Sequence, residues 1–261
     1  MTAPIPRDIP DLPPLRRTHT LLPSFVPAAA VRPPARRPLT AVLRLLIAAT
    51  AAAGVTLALL LGSPLRVLSH FAVQSSILLA LVTLLSARSA WTAGRPVPSV
   101  LTGAAPLCTT ITGLGYHLLL ADTATPFSVP TTTGTPTGRH MVASHLLHTV
   151  TPAAAVLDWL LLTPPGRLRL HQAALWLLYP LSYLAFSLIR AELITPGTPG
   201  RHLYPFLDAA PHGHEHTLTN ALLIGLSFYA LGLLLVALDH ARPHPTRHRA
   251  KTGFRLQPPV G

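Results

Sequence analysis

Six apolar runs constrain the fold of this chain more than any other feature, because each is long enough to cross a bilayer. About 20 residues in a helix, at about 1.5 Å per residue, span the roughly 30 Å of hydrocarbon. Helices also satisfy their own backbone hydrogen bonds inside lipid. The runs are Leu39–Leu61, Leu65–Leu85, Val97–Leu120, Met141–Leu162, Leu170–Arg190 and Leu218–Leu238. They predict an all-α fold, a polytopic membrane bundle of six transmembrane helices.

The segments around the runs predict a chain in three parts. Residues 1–37 are rich in proline and arginine and lack an apolar period, which is typical of a disordered arm. Residues 38–240 hold the six runs and form the predicted transmembrane domain, and residues 241–261 form a basic tail. Only 11% of the residues are charged, whereas soluble domains have about 25%. The composition therefore agrees with a membrane protein.

The positive charges predict the orientation of the bundle. The chain has 20 Lys and Arg residues against 8 Asp and Glu, a net charge of +12. If the six runs alternate in direction, all but four of the basic residues lie on the side of the two termini; the four are Arg66, Arg139, Arg190 and Arg201. The positive-inside rule then places both termini in the cytoplasm. We expect a multi-pass protein of the inner (plasma) membrane. This asymmetry accounts for the net charge, so we predict no nucleic-acid partner.

Polar residues gather in the halves of the runs that this orientation places outside. A charge at the centre of a bilayer costs about 2.5–3.5 kcal/mol, so such groups face the interior of a bundle. They predict a polar cavity that opens outward and binds membrane lipids or a lipid-like small molecule. The predicted ligand-contacting residues are His70, Gln74, Tyr116, His145, Arg190, Tyr204 and Asp208.

The stretch HTVTPAAAVLDWLLLTP, residues 148–164, places ionisable groups inside a predicted span. Pro152 has no N–H to donate to the carbonyl of His148, which predicts a kink and a free carbonyl. Asp158 is ten residues further on and lies off the helix stripe of His148. We expect it near the inner boundary, paired with Arg167 or Arg169.

His148 is the candidate general base of a hydrolytic site. A hydroxyl is a weak nucleophile until a base accepts its proton, and histidine is the usual base. The candidate nucleophiles are Ser69, Ser75 and Ser76. The alternatives are structural: a hydrogen bond between helices for His148, and close helix packing for the serines.

The sequence predicts no metal and no cofactor. Cys108 is the one cysteine, which excludes an intrachain disulfide and cysteine-based metal sites. Imidazoles recur in the segment His212–His216, and imidazole suits zinc or copper. An exposed loop does not preorganise such ligands, and the sequence leaves open whether His212, Glu215 and His216 bind a metal.

Four segments carry a family resemblance: HFAVQSS (70–76), HTVTPAAAVLDWLLL (148–162), WLLYPLSYLAFSLIRAEL (176–193) and YPFLD (204–208). Together they resemble a bacterial six-helix integral-membrane family, distantly related to the eukaryotic androgen-induced membrane proteins that hydrolyse fatty acid esters of hydroxy fatty acids. The resemblance implies a threonine nucleophile on an early helix and a histidine on a middle one. His148 falls at the position of that histidine, and Ala72 falls at that of the threonine.

Two functions therefore stay open. One is lipid ester hydrolysis, with His148 as the base and a nearby serine in place of the missing threonine hydroxyl. The other is a non-enzymatic role, as a transporter, a ligand-binding protein or an assembly protein. The alanine at position 72, which cannot attack an ester, favours the second.

Overall fold

The computed structural model is helical in the residues that it describes, which are 35–120, 138–196, 198, 201–204 and 213–243. The α-helices are α1 (Pro38–Leu61), α2 (Pro64–Leu68), α3 (Phe71–Thr92), α4 (Ser99–Gly115), α5 (Gly138–His145), α6 (Thr151–Leu162), α7 (Leu170–Trp176), α8 (Leu178–Leu193) and α9 (Gly213–Ala241). The π-helical turn π1 (Tyr116–Leu120) continues α4, and π2 (Leu146–Val150) joins α5 to α6. The all-α prediction is confirmed for these residues. Most of the predicted arm and tail lies outside them.

Five helical segments are long and apolar enough to cross a membrane. They are Pro38–Leu61, Phe71–Thr92, Gly138–Leu162, Leu170–Leu193 and Thr217–Ala241. Large apolar side chains on them are exposed, among them Leu60, Leu161 and Leu193. Extended apolar surface of this kind marks contact with lipid or a partner. Several such helices in one chain are typical of a multi-pass membrane protein.

The third predicted run is not one of the five. It folds as α4, with 17 residues and Pro106 in its interior, followed by π1. Thr109 and Thr112 on this helix donate their hydroxyls to the carbonyls of Ala105 and Cys108, so polar side chains replace apolar ones here. The prediction of a sixth span therefore rests on the sequence.

The second predicted run is broken where the sequence suggested one continuous helix. The backbone of His70 is extended (φ −80°, ψ 135°), and α3 begins only at Phe71. The Nδ1–H of His70 donates to the carbonyl of Arg66 at 2.8 Å. The predicted bounds of the second run, Leu65–Leu85, are therefore wrong. The long helix begins at Phe71 and ends at Thr92.

Close helix contacts organise the first part of the bundle. α1 and α3 form an antiparallel hairpin, and the N–H of Arg37 donates to the carbonyl of Ala90 at 2.9 Å. α4 packs against both α3 and α6. A Cβ at Gly113 would lie 2.9 Å from the carbonyl oxygen of His148 and 3.0 Å from the ring of Pro152. Glycine is thus what lets α4 approach this point, as small residues commonly do between membrane helices.

The irregularity predicted at Pro152 takes the form of a π-helical turn. Pro152 follows π2, in which the N–H of Thr151 donates to the carbonyl of Leu146, five residues back. Such turns insert an extra residue into a helix and are frequent at functional sites. The turn contains His148.

Two arginines close the end of the bundle where α6 terminates. Arg44 of α1 lies 2.8 Å from the carboxylate of Asp158. It also donates to the carbonyl of Leu162 and the hydroxyl of Thr163, each at 3.3 Å. The prediction that Asp158 pairs with Arg167 or Arg169 is therefore wrong, because Asp158 pairs with Arg44 of the first helix.

The second of these arginines, Arg242, pairs with Asp239, a carboxylate that is only 1% exposed. The carboxylate also accepts the N–H groups of Arg167 at 2.7 Å and of Leu168 at 2.9 Å. Arg242 lies over the ring of Trp159, 4.2 Å from its centroid. It donates in addition to three carbonyls at the end of α6, those of Trp159, Leu160 and Thr163. These carbonyls have no partner within the helix, so Arg242 caps α6.

Candidate functional site

A cavity of about 640 Å³ lies among α3, α4, α8 and α9. Its size is within the roughly 300–1,000 Å³ of ligand pockets, which are usually apolar with a few polar groups. Most of the residues that line it are apolar, so the prediction that the cavity is polar was wrong. The lining side chains with a polar atom are Thr112, Tyr116, His148, Tyr183, Tyr204 and Ser227.

The polar groups concentrate toward one end of the cavity. Ala72 begins α3, and Thr112 is near the end of the neighbouring α4, where its hydroxyl lies 3.3 Å from that of Ser75. His148 contacts the same end of α4. Away from them, the lining includes Leu231 and Leu234 of α9. The cavity thus has a polar end and an apolar end.

The ring of His148 forms part of the polar end. The side chain is 4% exposed and stacks on Tyr116, with ring centroids 4.4 Å apart and an angle of 23° between the planes. Its Nδ1–H donates to the carbonyl of Ser144 at 3.0 Å. Because a carbonyl only accepts, Nδ1 carries the proton, and Nε2 of the neutral ring is left as an acceptor. Within the described residues, no side chain hydrogen-bonds to Nε2.

Tyr204 brings a loop to the same cavity. Its hydroxyl oxygen accepts the N–H of Phe71 at 3.1 Å, which satisfies a free donor at the start of α3. Its ring lies 6.2 Å from that of Tyr183. Burial raises the pKa of Tyr204 to about 12. The group is therefore a neutral phenol that can donate its proton in a hydrogen bond.

Four other predicted ligand-contacting residues are placed outside the cavity lining. His70 is buried and its ring lies 6.1 Å from that of Tyr204. Gln74 donates to the carbonyl of Leu68 and accepts the hydroxyl of Tyr179. Arg190 donates to the carbonyl of Arg201 at 3.0 Å. His145 is exposed. Asp208 lies outside the described residues.

The charge of Arg190 affects the pKa of a neighbouring arginine, Arg66. Partial burial, and then the charge of Arg190, lower the pKa of Arg66. The two guanidinium groups therefore lie within electrostatic reach of each other.

None of the three candidate serines hydrogen-bonds to His148 in the part of the chain that the structure describes. Ser69 donates to the carbonyl of Leu65 at 2.7 Å. Ser75 and Ser76 are buried and donate to the carbonyl of Ala72 at 3.0 and 2.8 Å. None of the three lines the cavity. Their bonds to backbone carbonyls of the preceding turn are those of serines inside helices.

Ala72 is on the cavity wall, whereas the serines that were to replace a hydroxyl there are not. The side-chain oxygen that α4 contributes is that of Thr112, which donates to the carbonyl of Cys108 at 2.7 Å. Sequence reasoning did not select Thr112, because four threonines occur on α4 and only the packing distinguishes them.

No family model, curated protein or solved structure matches this chain. The family resemblance of the four segments therefore stays a prediction. The function has to be argued from the cavity and from the groups on its wall.

The described residues contain no group of three or more His, Cys, Asp and Glu side chains able to hold a metal ion. The histidine-rich segment is described only in part, since His212 and the side chain of His216 lie outside. Among the side chains that line the cavity, His148 is the one imidazole, the group that most often serves as a general base.

Proposed function

We propose that this chain is a membrane protein that binds a lipid-like molecule in the cavity. The acyl part lies against the apolar wall formed by α8 and α9. The polar part, a hydroxyl, ester or carboxyl group, is held by His148, Tyr116, Thr112 and Tyr204. The observation that supports this most is the combination of a largely apolar cavity with polar groups at one end.

The helices around the cavity also support a lipid as the ligand. α8 and α9 carry exposed leucines on their outer faces, among them Leu188 and Leu222, and line the cavity with their other faces. A molecule between them is close to the surrounding acyl chains. Binding there exchanges one apolar environment for another, so the selectivity comes from the polar end.

We further propose six spans in the inner membrane with both termini in the cytoplasm. The support is the charge asymmetry, with four of the 20 basic residues on the opposite side. Fusions of alkaline phosphatase and of green fluorescent protein to each end are the test. Fluorescence without phosphatase activity is expected at both ends, and an active phosphatase at the C-terminus would contradict an even number of spans.

Filling the cavity is expected to abolish lipid binding. Gly225 lines the cavity, and a Cβ there meets no atom within 4 Å. The Gly225→Phe substitution therefore places a ring in the space of the ligand without a clash that would unfold the helix. With a fatty acid that carries a diazirine on its chain, photolabelling of the purified protein should fall by about tenfold or more, a loss of at least roughly 1.4 kcal/mol of binding free energy.

The matched control is Leu226→Phe, on the next residue of the same helix. Leu226 is exposed and does not line the cavity, so labelling should stay at the wild-type level. Equal labelling of the wild type and Gly225→Phe would contradict the proposed site. An equal loss of labelling in both variants would show that the added ring does not act by filling the cavity.

A specific observation favours hydrolysis as the second candidate: His148 faces the cavity with Nε2 free to accept a proton. In that reaction Nε2 takes a proton from water, and the water oxygen attacks the ester carbonyl. The alcohol then leaves with the proton from His148, giving a free acid. Tyr116 or Tyr204 is positioned on the same wall to donate to the oxyanion.

The photolabelling samples also separate the two candidates. When an ester of a hydroxy fatty acid is added, a hydrolase releases free acid from the wild type and none from His148→Ala, while labelling of that variant persists. If the wild type is labelled but releases no acid, the second candidate is excluded and the binding function stands.

A further inference from the structure

A second cavity, of about 560 Å³, lies at the end of the bundle where α7 begins and α9 ends. Unlike the first cavity, it is rich in basic side chains. Arg167, Arg169 and His171 contribute from one side, and His240 contributes from the last turn of α9. This group, called the basic cavity below, also contains Ser99 and Gln172.

The loop that carries the two arginines is held in place by its backbone. Four consecutive N–H groups, from Gly166 to Arg169, are all bonded. The first donates to the carbonyl of Asp239 at 3.1 Å, the next two donate to its carboxylate, and the fourth donates to Gln172 Oε1 at 3.1 Å. Gln172 is itself buried and donates to Ser99 at 2.9 Å. These hydrogen bonds fix the backbone of the loop.

The positive charge of the basic cavity is uncompensated in the described residues. No carboxylate there pairs with Arg167 or Arg169. The nearest acid along the chain from His240, Asp239, is occupied by Arg242 and by the two backbone N–H groups. Two exposed guanidinium groups, carried on a backbone that is held in place, are suited to the oxygens of a phosphate group.

The basic cavity lies at the ends of two candidate membrane spans, where head groups would be expected. Arg167 and Arg169 immediately precede the span Leu170–Leu193, and His240 is in the last turn of the span Thr217–Ala241. Leu170, next to Arg169, is exposed and apolar. Basic pockets between membrane helices at this depth hold anionic head groups on the cytoplasmic side.

We infer that the basic cavity binds the phosphate head group of an anionic phospholipid, with Arg167 and Arg169 as the principal contacts. The inference is independent of the lipid-binding cavity between α8 and α9. It depends on the loop geometry, on two exposed guanidinium groups that pair with no carboxylate in the described residues, on the position at the ends of two spans, and on the orientation proposed above.

The test is native mass spectrometry of the full chain in detergent, titrated with phosphatidylglycerol or with phosphatidylcholine of the same acyl chains. The wild type is expected to bind phosphatidylglycerol more tightly. At about 1 kcal/mol per basic residue, Arg167→Gln and Arg169→Gln should each weaken that binding by about fivefold, and the double variant should weaken it by about 30-fold. Phosphatidylcholine binding should not change.

The matched control is the double variant Arg88→Gln/Arg95→Gln, which removes two exposed arginines, one near the end of α3 and one in the loop between α3 and α4. This control should keep the wild-type preference for phosphatidylglycerol. If both double variants lose that preference equally, the cause is the net charge of the protein and not the basic cavity. No preference for phosphatidylglycerol in the wild type would overturn the inference. So would displacement of the lipid by equimolar inorganic phosphate, since the site would then take a soluble anion. The single variants carry the test if the double variant does not fold.

Discussion

The Arg242→Leu variant is expected to unfold at a much lower temperature than the wild type. The substitution leaves the carboxylate of Asp239 buried without its cationic partner, and removing one member of a buried pair costs about 3–5 kcal/mol. It also leaves the carbonyls of Trp159, Leu160 and Thr163 without the donor that caps α6. Thermal unfolding in detergent, followed by tryptophan fluorescence to which Trp159 beneath the guanidinium contributes, measures the loss.

Two further variants identify the cause. Arg88→Leu removes an exposed arginine and should change stability by no more than about 0.5 kcal/mol. Adding Asp239→Asn to Arg242→Leu removes the unpaired charge but keeps an oxygen for the N–H groups of Arg167 and Leu168. The double variant should therefore be more stable than Arg242→Leu alone. If it is no more stable, the unpaired charge is not the main cause of the loss, and the lost capping of α6 is. A wild-type melting temperature for Arg242→Leu contradicts both causes.

The sequence could predict the ends of the first, fourth and fifth runs to within three residues. The first run was expected at Leu39–Leu61, and α1 covers Pro38–Leu61. The break at His70 could not be predicted in the same way. No glycine or proline marks it, and polar residues inside an apolar run look like residues that face the bundle interior. What breaks the helix is a backbone conformation that His70 adopts between two helices.

Long-range pairing was not available from the sequence either. Arg44 and Asp158 are 114 residues apart, and arginines nearer to Asp158 in the chain were the natural expectation. The choice depends on how α1 lies against α6. In the same way, the packing of α4 on π2 brings Tyr116 onto the ring of His148, although the two residues belong to different predicted spans.

In the candidate site, the sequence could single out the histidine but not a nucleophile. A histidine before a proline inside a span is a rare pattern, and His148 does lie on the cavity wall together with Tyr116 and Tyr204. Serines are common in membrane helices, and their hydroxyls bond readily to the carbonyl one turn back. Nothing in the sequence distinguishes such a serine from one that faces a cavity. The role of a nucleophile therefore could not be assigned from spacing.

The Gly103→Ala variant is expected to lose about 1–3 kcal/mol of stability through overpacking. A Cβ at position 103 would clash with Cζ2 of Trp176 and lie 3.1 Å from a methyl group of Leu168. The indole has little room to move, because it is 3% exposed and its Nε1–H donates to the carbonyl of Val100 at 2.9 Å. Relief requires a shift of α4 away from α7, which separates the core around Trp176.

Gly232→Ala tests this explanation on the other side of the same indole. A Cβ at position 232 would lie 3.5 Å from Cε3 of Trp176, an ordinary van der Waals contact. This substitution also replaces a helical glycine, which is worth up to about 1 kcal/mol in favour of the alanine variant. The two variants should therefore shift the melting temperature in opposite directions. If both lower it equally, the distance to Trp176 is not the cause of the loss.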